Sequence, residues 1–294
     1  MILVTGGTGF IGPKVVHALR AEGRDVRCLV CNPRRAGTLE AWGCEVTQGD
    51  VTDAASLRAA AAACDVVVHL VSIITGSRQD FERVMKQGTR NLVAAAKEAG
   101  AGRFVLMSAL GVSEETRTLT PYYESKWEME HTVRESGLEH VIFRPSFVFG
   151  RDGGVLPTFI RQVRWSPVLT VLGSGKTRLQ PIWVDDVAAF FAKSVDLDEA
   201  ANRVFELGGP DAVTWDELYE RIKRVAGARR PTVHVPFAVA RLGAAVAERL
   251  PGAPLTRDQL KMLEAGDNTC DVTPAIETFE LGLLPLDEQI RRAL

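Results

Sequence analysis

The chain has 294 residues, 46% of them hydrophobic, and its 35 Lys+Arg against 37 Asp+Glu leave a net charge of −2. This length suits one large domain or two coupled ones with an ample core, and the composition excludes a disordered chain. The balanced charge gives no reason to expect nucleic acid as the main partner. Five cysteines do not make a secreted disulfide framework, so we expect a cytoplasmic protein.

The sequence predicts neither a signal peptide nor a membrane span. An apolar strand begins at the second residue, with no charged or long apolar leader before it. The apolar stretch 237–250 contains Arg241, Glu248 and Arg249, and it is too short and too charged to cross a bilayer. We expect a soluble protein, at most peripheral to the inner membrane or to a complex.

The first half alternates short β-branched runs with helical periodicity, the pattern of a parallel sheet with crossover helices. Strands are predicted over residues 2–4, 26–30, 45–47, 66–70, 104–107 and 140–143. Helices are predicted over residues 10–22, 36–42, 54–63, 81–99 and 122–136, and several end at a glycine suited to a left-handed cap. Residues 1–150 are therefore predicted to form an α/β domain, a doubly wound parallel sheet of Rossmann type.

After about residue 150, glycines and prolines divide the chain into shorter pieces. A helix is predicted over residues 183–194, with Asp185 or Asp186 as its cap. Further helices are predicted over residues 216–226, 238–250, 257–264 and 286–293. We expect residues 151–294 to form a smaller C-terminal α+β cap that holds substrate, with the segment 179–207 packing back on the first domain.

A glycine-rich turn follows the first predicted strand. Gly6, Gly9 and Gly12 stand three residues apart between a strand and a helix, the context in which such a turn binds a dinucleotide. Gly6 permits the tight turn, Gly9 lets the backbone approach a pyrophosphate, and Gly12 lets the helix press on the sheet. Free N–H groups at the helix N-terminus then bind the diphosphate. A turn made only for packing is the alternative, which the strand–helix context disfavours.

The end of the second predicted strand bears on the choice of dinucleotide. An NAD site usually has an Asp or Glu there, which accepts hydrogen bonds from the ribose hydroxyls. Residues 31–35 contain no acid but include Arg34 and Arg35, and a guanidinium can hold a 2′-phosphate with two hydrogen bonds. We therefore predict NADP(H) rather than NAD(H), with Arg34 or Arg35 as the clamp. The alternative is that both arginines belong to a solvated helix start.

Tyr122 and Lys126 are four residues apart on a predicted helix, which places both side chains on one face. A free tyrosine has a pKa of about 10, and a neighbouring ammonium would lower it enough for acid–base catalysis. The same lysine could hydrogen-bond a ribose. Tyr123 is the weaker candidate, and an ordinary surface helix is the alternative for this common pattern. The histidines show no paired metal spacing, so no metal site is predicted.

Several motifs occur in the order of a known family: residues 5–12, 49–53, 69–74, 88–92, the Tyr122–Lys126 pair, 143–150, 180–188 and 206–210. Over nearly its whole length the chain resembles the extended and atypical short-chain dehydrogenases/reductases, which are NAD-dependent epimerase/dehydratase-like proteins. The later blocks are most similar to the branch of the NADPH-binding accessory subunit of respiratory complex I.

The resemblance implies a role for each matching residue. Tyr122 would be the acid–base, Lys126 its electrostatic partner and a cofactor ligand, and Ser108 the nearest hydroxyl to the carbonyl-binding position. The implied cofactor contacts are Gly6, Thr8, Gly9, Phe10, Ile11 and Gly12 for the pyrophosphate, Asp50 and Val51 for the adenine, and Leu70, Val71, Pro145, Ser146 and Val148 for the nicotinamide half. Two positions depart from the family: Ala109 replaces a hydroxyl residue, and Met85 replaces a frequent Asn.

Two functions are compatible with these residues. The first is an NADP(H)-dependent oxidoreductase that moves a hydride between nicotinamide and a carbonyl or alcohol carbon. The resemblance implies a sugar nucleotide, a quinone or another isoprenoid-linked metabolite as its small-molecule substrate. The second is a cofactor-binding accessory, structural or redox-sensing protein without turnover, which the loss of the hydroxyl at Ala109 and of the Asn at Met85 would favour. The sequence does not indicate an oligomeric state.

Overall fold

A computed structural model of the chain describes residues 1–247 and 255–294. The strands are β1 (Ile2–Thr5), β2 (Val26–Val30), β3 (Glu45–Gln48), β4 (Val66–His69), β5 (Arg103–Met107), β6 (Glu139–Pro145), β7 (Val148–Phe149), β8 (Leu169–Leu172), β9 (Arg178–Leu179), β10 (Ile182–Trp183), β11 (Arg203–Leu207), β12 (Val213–Thr214) and β13 (Thr232–Val235). Each short strand is thus followed by a turn or helix, the pattern expected of an α/β chain.

The helices complete this alternation. They are α1 (Gly12–Ala21), α2 (Gly37–Ala41), α3 (Ala54–Ala61), α4 (Arg78–Asp80), α5 (Gly88–Glu98), α6 (Pro121–Arg134), α7 (Leu156–Trp165), α8 (Val184–Lys193), α9 (Trp215–Ala226), α10 (Phe237–Ala247), α11 (Arg257–Glu264), α12 (Thr273–Phe279) and α13 (Leu286–Ala293). A π-helical segment, Phe81–Gln87, joins α4 to α5.

The central sheet has seven parallel strands in the order β11-β6-β5-β4-β1-β2-β3. From β1 the chain builds one half of the sheet outward through β2 and β3, and then returns to β4 to build the other half. The strand order therefore reverses between β1 and β4, where open α/β sheets bind their ligands. The predicted Rossmann-type doubly wound fold is confirmed.

The predicted strands and helices of the first 145 residues agree with the structure to within a few residues. The glycines expected to cap helices, Gly23, Gly43, Gly100 and Gly137, all have positive φ. Two details were wrong. The predicted helix 81–99 begins as a π-helical segment, and Asp185 and Asp186 lie inside the first turn of α8 rather than at its cap. The predicted end of the helix 238–250 lies outside the described residues.

The chain forms two compact units. The first unit comprises residues 1–145, 184–207 and 272–282 and contains the central sheet. Helices cover both faces of the sheet, and Phe143 of β6 lies in an aromatic cluster with Phe191 of α8 and Phe279 of α12, at ring-centroid distances of 4.8 and 5.5 Å. The inner strands β1, β4 and β5 are buried on both faces and are largely apolar, whereas the edge strand β3 is polar and partly exposed.

The second unit comprises residues 146–183, 208–271 and 283–294, apart from those not described. It contains three two-stranded sheets, β7 with β10, β8 with β13 and β9 with β12. Helices α7 and α9 pack through Phe159 and Tyr219, whose rings are 5.7 Å apart. In the described part of the whole chain, no helix has the length and apolar character needed to cross a membrane.

Candidate functional site

The glycine turn connects β1 to α1 with little room for side chains. Gly6 has a φ of +81°, a left-handed conformation that favours glycine, and the Gly9 amide donates to the Gly6 carbonyl at 3.1 Å. A Cβ added to Gly12 would lie 2.2 Å from that same carbonyl oxygen. The turn therefore needs glycine at position 6 for its conformation and at position 12 for close packing.

The N-terminus of α1 is open to a ligand. Its N-cap residue, Ile11, provides no side-chain hydrogen bond, Pro13 occupies the first turn, and that turn has no acidic residue. Thr8, Phe10 and Ile11 are half-buried and Gly9 is exposed, so the turn is accessible from one side. An uncapped helix start beside a glycine turn fits the diphosphate of a dinucleotide.

The end of β4 lies directly against this turn. The Leu70 amide donates to the Thr5 carbonyl at 3.1 Å. A Cβ added to Gly6 would lie 3.0 Å from both the Leu70 carbonyl carbon and the Val71 nitrogen. The structure thus brings Gly6, Leu70 and Val71 together at the point where the strand order reverses.

Arg34 and Arg35 lie in a short turn after β2. The Asn32 side chain accepts a hydrogen bond from the Arg34 amide at 3.1 Å and begins this turn. Both arginines are exposed, and neither forms an ion pair with a residue that the structure describes. Their guanidinium groups are therefore available to an anion.

Asp50 follows β3 and faces the end of β2. Its carboxylate accepts hydrogen bonds from the Thr52 amide and hydroxyl at 2.8 and 2.7 Å and from the Cys31 thiol at 3.2 Å. Burial opposes ionisation, but these bonds outweigh it and lower the pKa of Asp50. Burial and the Asp50 carboxylate raise the pKa of Cys31 to about 11, so this thiol remains a donor.

Val51 packs against the start of α5. A Cβ on Gly88 would lie 2.9 Å from the Val51 side chain, and the Asn91 amide donates to the Val51 carbonyl at 3.2 Å. Gly88 therefore lets α5 approach the loop that carries Asp50 and Val51, the two residues predicted to meet the adenine.

Tyr122 and Lys126 lie on α6, as their spacing predicted. The Lys126 ammonium nitrogen is 5.8 Å from the centre of the Tyr122 ring and donates to the Met107 carbonyl at 2.7 Å. Lys126 is 1% exposed, whereas Tyr122 is half-buried. The other N–H groups of a protonated Lys126 have no partner among the described residues, so they can bind a ligand.

The expected lowering of the Tyr122 pKa by Lys126 was wrong. Burial raises the pKa of Tyr122, and a contact with Ser72 offsets only part of this effect. Burial also lowers the pKa of Lys126 to about 7, although Glu130 opposes the shift. The physical reason is desolvation, which disfavours the charged form of both side chains.

Two hydroxyl groups near this pair are buried without hydrogen-bond partners among the described residues, those of Ser72 and Ser108. Ser72 contacts Tyr122, and the Met107 carbonyl that accepts from Lys126 belongs to the peptide bond leading into Ser108. A buried hydroxyl without a partner costs about 1–3 kcal/mol, which a bound ligand can offset. Ala109 has no hydroxyl, and Met85 is a fully buried core residue.

A buried polar chain, whose partners no sequence pattern predicted, runs through His69 beside the glycine turn. The Thr5 hydroxyl contacts His69 Nδ1 at 2.7 Å, and His69 Nε2 contacts the Thr89 hydroxyl at 3.1 Å. Because Thr89 donates to the Met85 carbonyl at 2.6 Å, it accepts from Nε2–H, and Nδ1 accepts from Thr5. Burial lowers the pKa of His69 to about 3, which keeps this tautomer neutral. The chain ties the residue before Gly6 to the π-helical segment.

The last three predicted cofactor residues are divided between the units. Pro145 ends β6 in the first unit, and its carbonyl accepts from the Leu110 amide at 2.9 Å. Ser146 and Val148 belong to the second unit, where the Ser146 hydroxyl donates to Asn268 Oδ1 at 2.6 Å and Val148 pairs with Ile182. Their role at the cofactor stays a prediction.

Comparison with known proteins agrees with this geometry. Residues 6–196 match the family model described as NAD(P)H-binding. The chain belongs to the NAD(P)H-binding family. The predicted resemblance to extended short-chain dehydrogenases/reductases is confirmed, including the similarity to complex I accessory subunits.

The relatives to which this chain is similar carry different names. The photosystem II assembly factor Ycf39 of Cyanophora paradoxa is 29% identical over 81% of this chain and 72% of that protein. A ceramide reductase of Caulobacter vibrioides is 32% identical over 80% and 74%. Rat mitochondrial NADH dehydrogenase [ubiquinone] 1 alpha subcomplex subunit 9 is 28% identical over 97% and 77%.

A solved structure shares the fold of the whole chain. The NADPH-dependent quinone oxidoreductase QOR2 of Escherichia coli, solved with NADPH, aligns with a TM-score of 0.81, 22% identity and coverage of 99% of this chain and 98% of that one. At this identity the likeness concerns the fold alone.

Proposed function

We propose that the protein is an NADP(H)-dependent oxidoreductase that reduces the carbonyl group of a small molecule to an alcohol. The observation that carries the proposal is the cluster of Tyr122, Lys126, Ser72 and Ser108, in which buried polar groups have donors left without protein partners. Such groups are stable in a fold when a ligand completes their hydrogen bonds.

Each residue of this cluster has a different role in the proposed proton transfer. Tyr122 is protonated at neutral pH because its pKa is raised, so its hydroxyl suits the donation of a proton to the carbonyl oxygen. Protonated Lys126, whose nitrogen is 5.8 Å from the centre of the Tyr122 ring, would stabilise the resulting phenolate electrostatically, and its remaining N–H groups would bind ribose hydroxyls. Ser108 donates to the substrate oxygen in place of the hydroxyl missing at Ala109.

The cofactor, when bound, supplies the hydride that adds to the carbonyl carbon. The open N-terminus of α1 and the turn from Gly6 to Gly12 would hold its diphosphate, and Asp50 and Val51 its adenine. Unpaired Arg34 and Arg35 support NADP(H) over NAD(H), since they can bind a 2′-phosphate.

The substrate class is part of the proposal. We assign substrate selection to the second unit, because the first unit holds the groups for the cofactor and the proton. The relative named ceramide reductase supports an apolar, lipid-like carbonyl compound over a sugar nucleotide. A quinone is the other apolar candidate.

The reaction is tested by following NADPH absorbance with three substrates: a long-chain ketone, a quinone and a UDP-sugar. Tyr122→Phe removes the proton donor, and we expect kcat to fall by about 10²–10⁴-fold with little change in NADPH affinity. Tyr123→Phe is the matched control, since the Tyr123 hydroxyl makes only a long 3.4 Å bond to the Leu110 carbonyl. Unchanged turnover by Tyr122→Phe would remove the assigned proton donor.

A second function is supported by Ala109 and by the relatives named as an assembly factor and a complex I subunit. In that case the protein binds NADP(H) as a structural or sensing group within a larger complex. Tight NADPH binding without oxidation by any of the three substrates would favour it. Multiple turnovers with one substrate would exclude it.

A further inference from the structure

One region of the second unit has few acidic residues. Two long stretches of its sequence, 153–183 and 221–247, contain no Asp or Glu. The parallel pairing of β8 with β13 joins them, with Leu169 opposite Thr232. Arg230 strengthens the junction by donating to the carbonyls of Val163 and Arg164 at 3.3 and 2.8 Å. The two acid-free stretches are therefore neighbours in space.

Four arginines of these stretches lack acidic partners. Arg161, Arg164, Arg229 and Arg230 form no ion pair with any residue in the ranges 1–247 and 255–294. Other arginines of the same unit are paired, such as Arg221 with Asp211 and Arg224 with Asp287, both at 2.8 Å. The four unpaired arginines thus form a local positive field on a chain whose net charge is −2.

An apolar centre lies among these arginines. Helix α7 buries Leu156, Ile160 and Val163, so Arg161 and Trp165, four residues apart, project together from the opposite side. Trp165 is 80% exposed, and the nearby Val168 and Val233 are 39% and 50% exposed. We call these three residues together with Arg161, Arg164, Arg229 and Arg230 the basic apolar surface.

A shallow depression borders the basic apolar surface. It has a volume of about 480 Å³ and is lined by Lys223, Arg224, Arg229 and Arg230, with Glu220 as the acidic member. Glu220 pairs with Lys223 at 2.5 Å. The arginines at its rim leave the depression positively charged, which suits a phosphate-bearing headgroup.

We propose that the basic apolar surface docks the protein on a lipid bilayer that contains anionic lipids. The arginines bind lipid phosphates, and Trp165 enters the interfacial region, where its ring is favourable. Val168 and Val233 add apolar area that enters the acyl boundary, an area that a nucleic acid backbone cannot use. A second copy of the chain is disfavoured because two such surfaces repel each other.

The test is co-sedimentation of the full chain with vesicles of phosphatidylcholine alone or with added phosphatidylglycerol. We expect binding only to the anionic vesicles, weaker at about 0.5 M than at about 0.1 M NaCl. Arg161→Gln/Arg164→Gln should weaken binding by about 25-fold, from a contribution near fivefold for each arginine at a membrane surface. Trp165→Ser should weaken it by roughly tenfold or more, and Trp165→Phe by less.

Matched control variants test whether the effect is specific to this surface or follows from the loss of any exposed arginine or apolar side chain. Arg58→Gln/Arg151→Gln removes two other exposed arginines that have no ion pair with a described residue, and Ile74→Ser removes an apolar side chain that is 57% exposed on the first unit. These variants should bind anionic vesicles as the wild type does. NADPH affinity measured on every variant confirms that it is folded.

Four results would overturn the proposal. They are equal binding to neutral and anionic vesicles, unchanged binding by Trp165→Ser, equal losses in the control variants, and tighter binding of a DNA duplex than of anionic vesicles. The last result would assign the arginines to nucleic acid instead.

Discussion

The two units differ in where they hold charge. The first unit buries Arg103, Lys126 and Glu130, whereas the described residues of the second unit include no buried charged side chain. In the second unit the arginines of the basic apolar surface lie at the surface without acidic partners. Buried charges are costly unless they are paired, so they mark places where the fold maintains a fixed geometry. The contrast fits the proposed chemistry in the first unit and the proposed membrane surface in the second.

Within the first unit, one buried charge differs from the others. Glu130 pairs with Arg144 and Arg134 at 2.8 and 3.0 Å, and Arg103 pairs with Glu139 and donates to the Ser194 carbonyl. Lys126 has only the Met107 carbonyl as a hydrogen-bond partner in the described structure. The buried charges of Glu130 and Arg103 are thus balanced by ion pairs within the fold. The buried charge of Lys126 has no such partner among the described residues, which is typical of a ligand site.

The largest effect is expected from Gly12→Ala, which tests whether the first unit depends on close packing at its glycine turn. The new Cβ would lie 2.2 Å from the Gly6 carbonyl oxygen, so α1 must move away from the turn. We expect NADPH affinity to fall at least about 100-fold and the unfolding free energy to fall by about 3 kcal/mol, the upper range for overpacking. Calorimetry and urea unfolding measure both.

Gly37→Ala is the control for that substitution, because a Cβ at Gly37 meets no atom within 4 Å. It should bind NADPH as the wild type does. If Gly12→Ala also binds normally, the turn is not the diphosphate site and the first unit loses its assigned role.

Local spacing explains which parts of the fold and site could be predicted. The glycine turn and the Tyr122–Lys126 pair each depend on residues within one turn or one helix, where distance along the chain fixes distance in space. The chain through Thr5, His69 and Thr89 joins three separate elements, and Ser72 meets Tyr122 across fifty positions of sequence. No short-range pattern encodes such contacts.

Two helices that were not predicted, α7 and α12, both have a proline in their first turn. Pro157 and Pro274 lie in the first turns of α7 and α12, where a missing N–H costs nothing and φ is already suitable. Reading Pro157 as a break hid α7, and with it the exposed Trp165. The two-residue strands of the second unit are too short for alternation to be recognised.

Lys126→Met tests whether the uncompensated amine is under strain. Lys126 has a folded pKa of about 7 against 10.5 for the free side chain, so between these values the unfolded chain binds more protons. The stability of the wild type therefore rises with pH in this window, and the contribution is lost as the pH falls towards 7. We therefore expect the unfolding free energy of the wild type, measured in urea relative to that of Lys126→Met, to rise by about 2 kcal/mol between about pH 7.5 and about pH 9.5.

Lys97→Met is the control, since Lys97 is exposed on α5 of the same unit. Its stability difference from the wild type should be constant over this pH range. A constant difference for Lys126→Met as well would mean that Lys126 is compensated like Glu130, and the contrast within the first unit would disappear.

The smallest effect is expected from Arg34→Gln/Arg35→Gln, which asks whether unpaired arginines capture different anions in the two units. Removing both guanidinium groups should weaken NADPH binding by about tenfold and leave NADH binding nearly unchanged, because only NADPH has the 2′-phosphate. Arg161→Gln/Arg164→Gln is the matched variant of the second unit and should do the reverse. Its affinity for anionic vesicles should fall, while its affinity for NADPH should stay unchanged. Kd values for NADPH, NADH and vesicles on both variants give the comparison. If Arg34→Gln/Arg35→Gln lost affinity for NADPH and for NADH to the same extent, these arginines would not recognise the 2′-phosphate. The proposal that the two units bind different anions would then rest on the vesicle data alone.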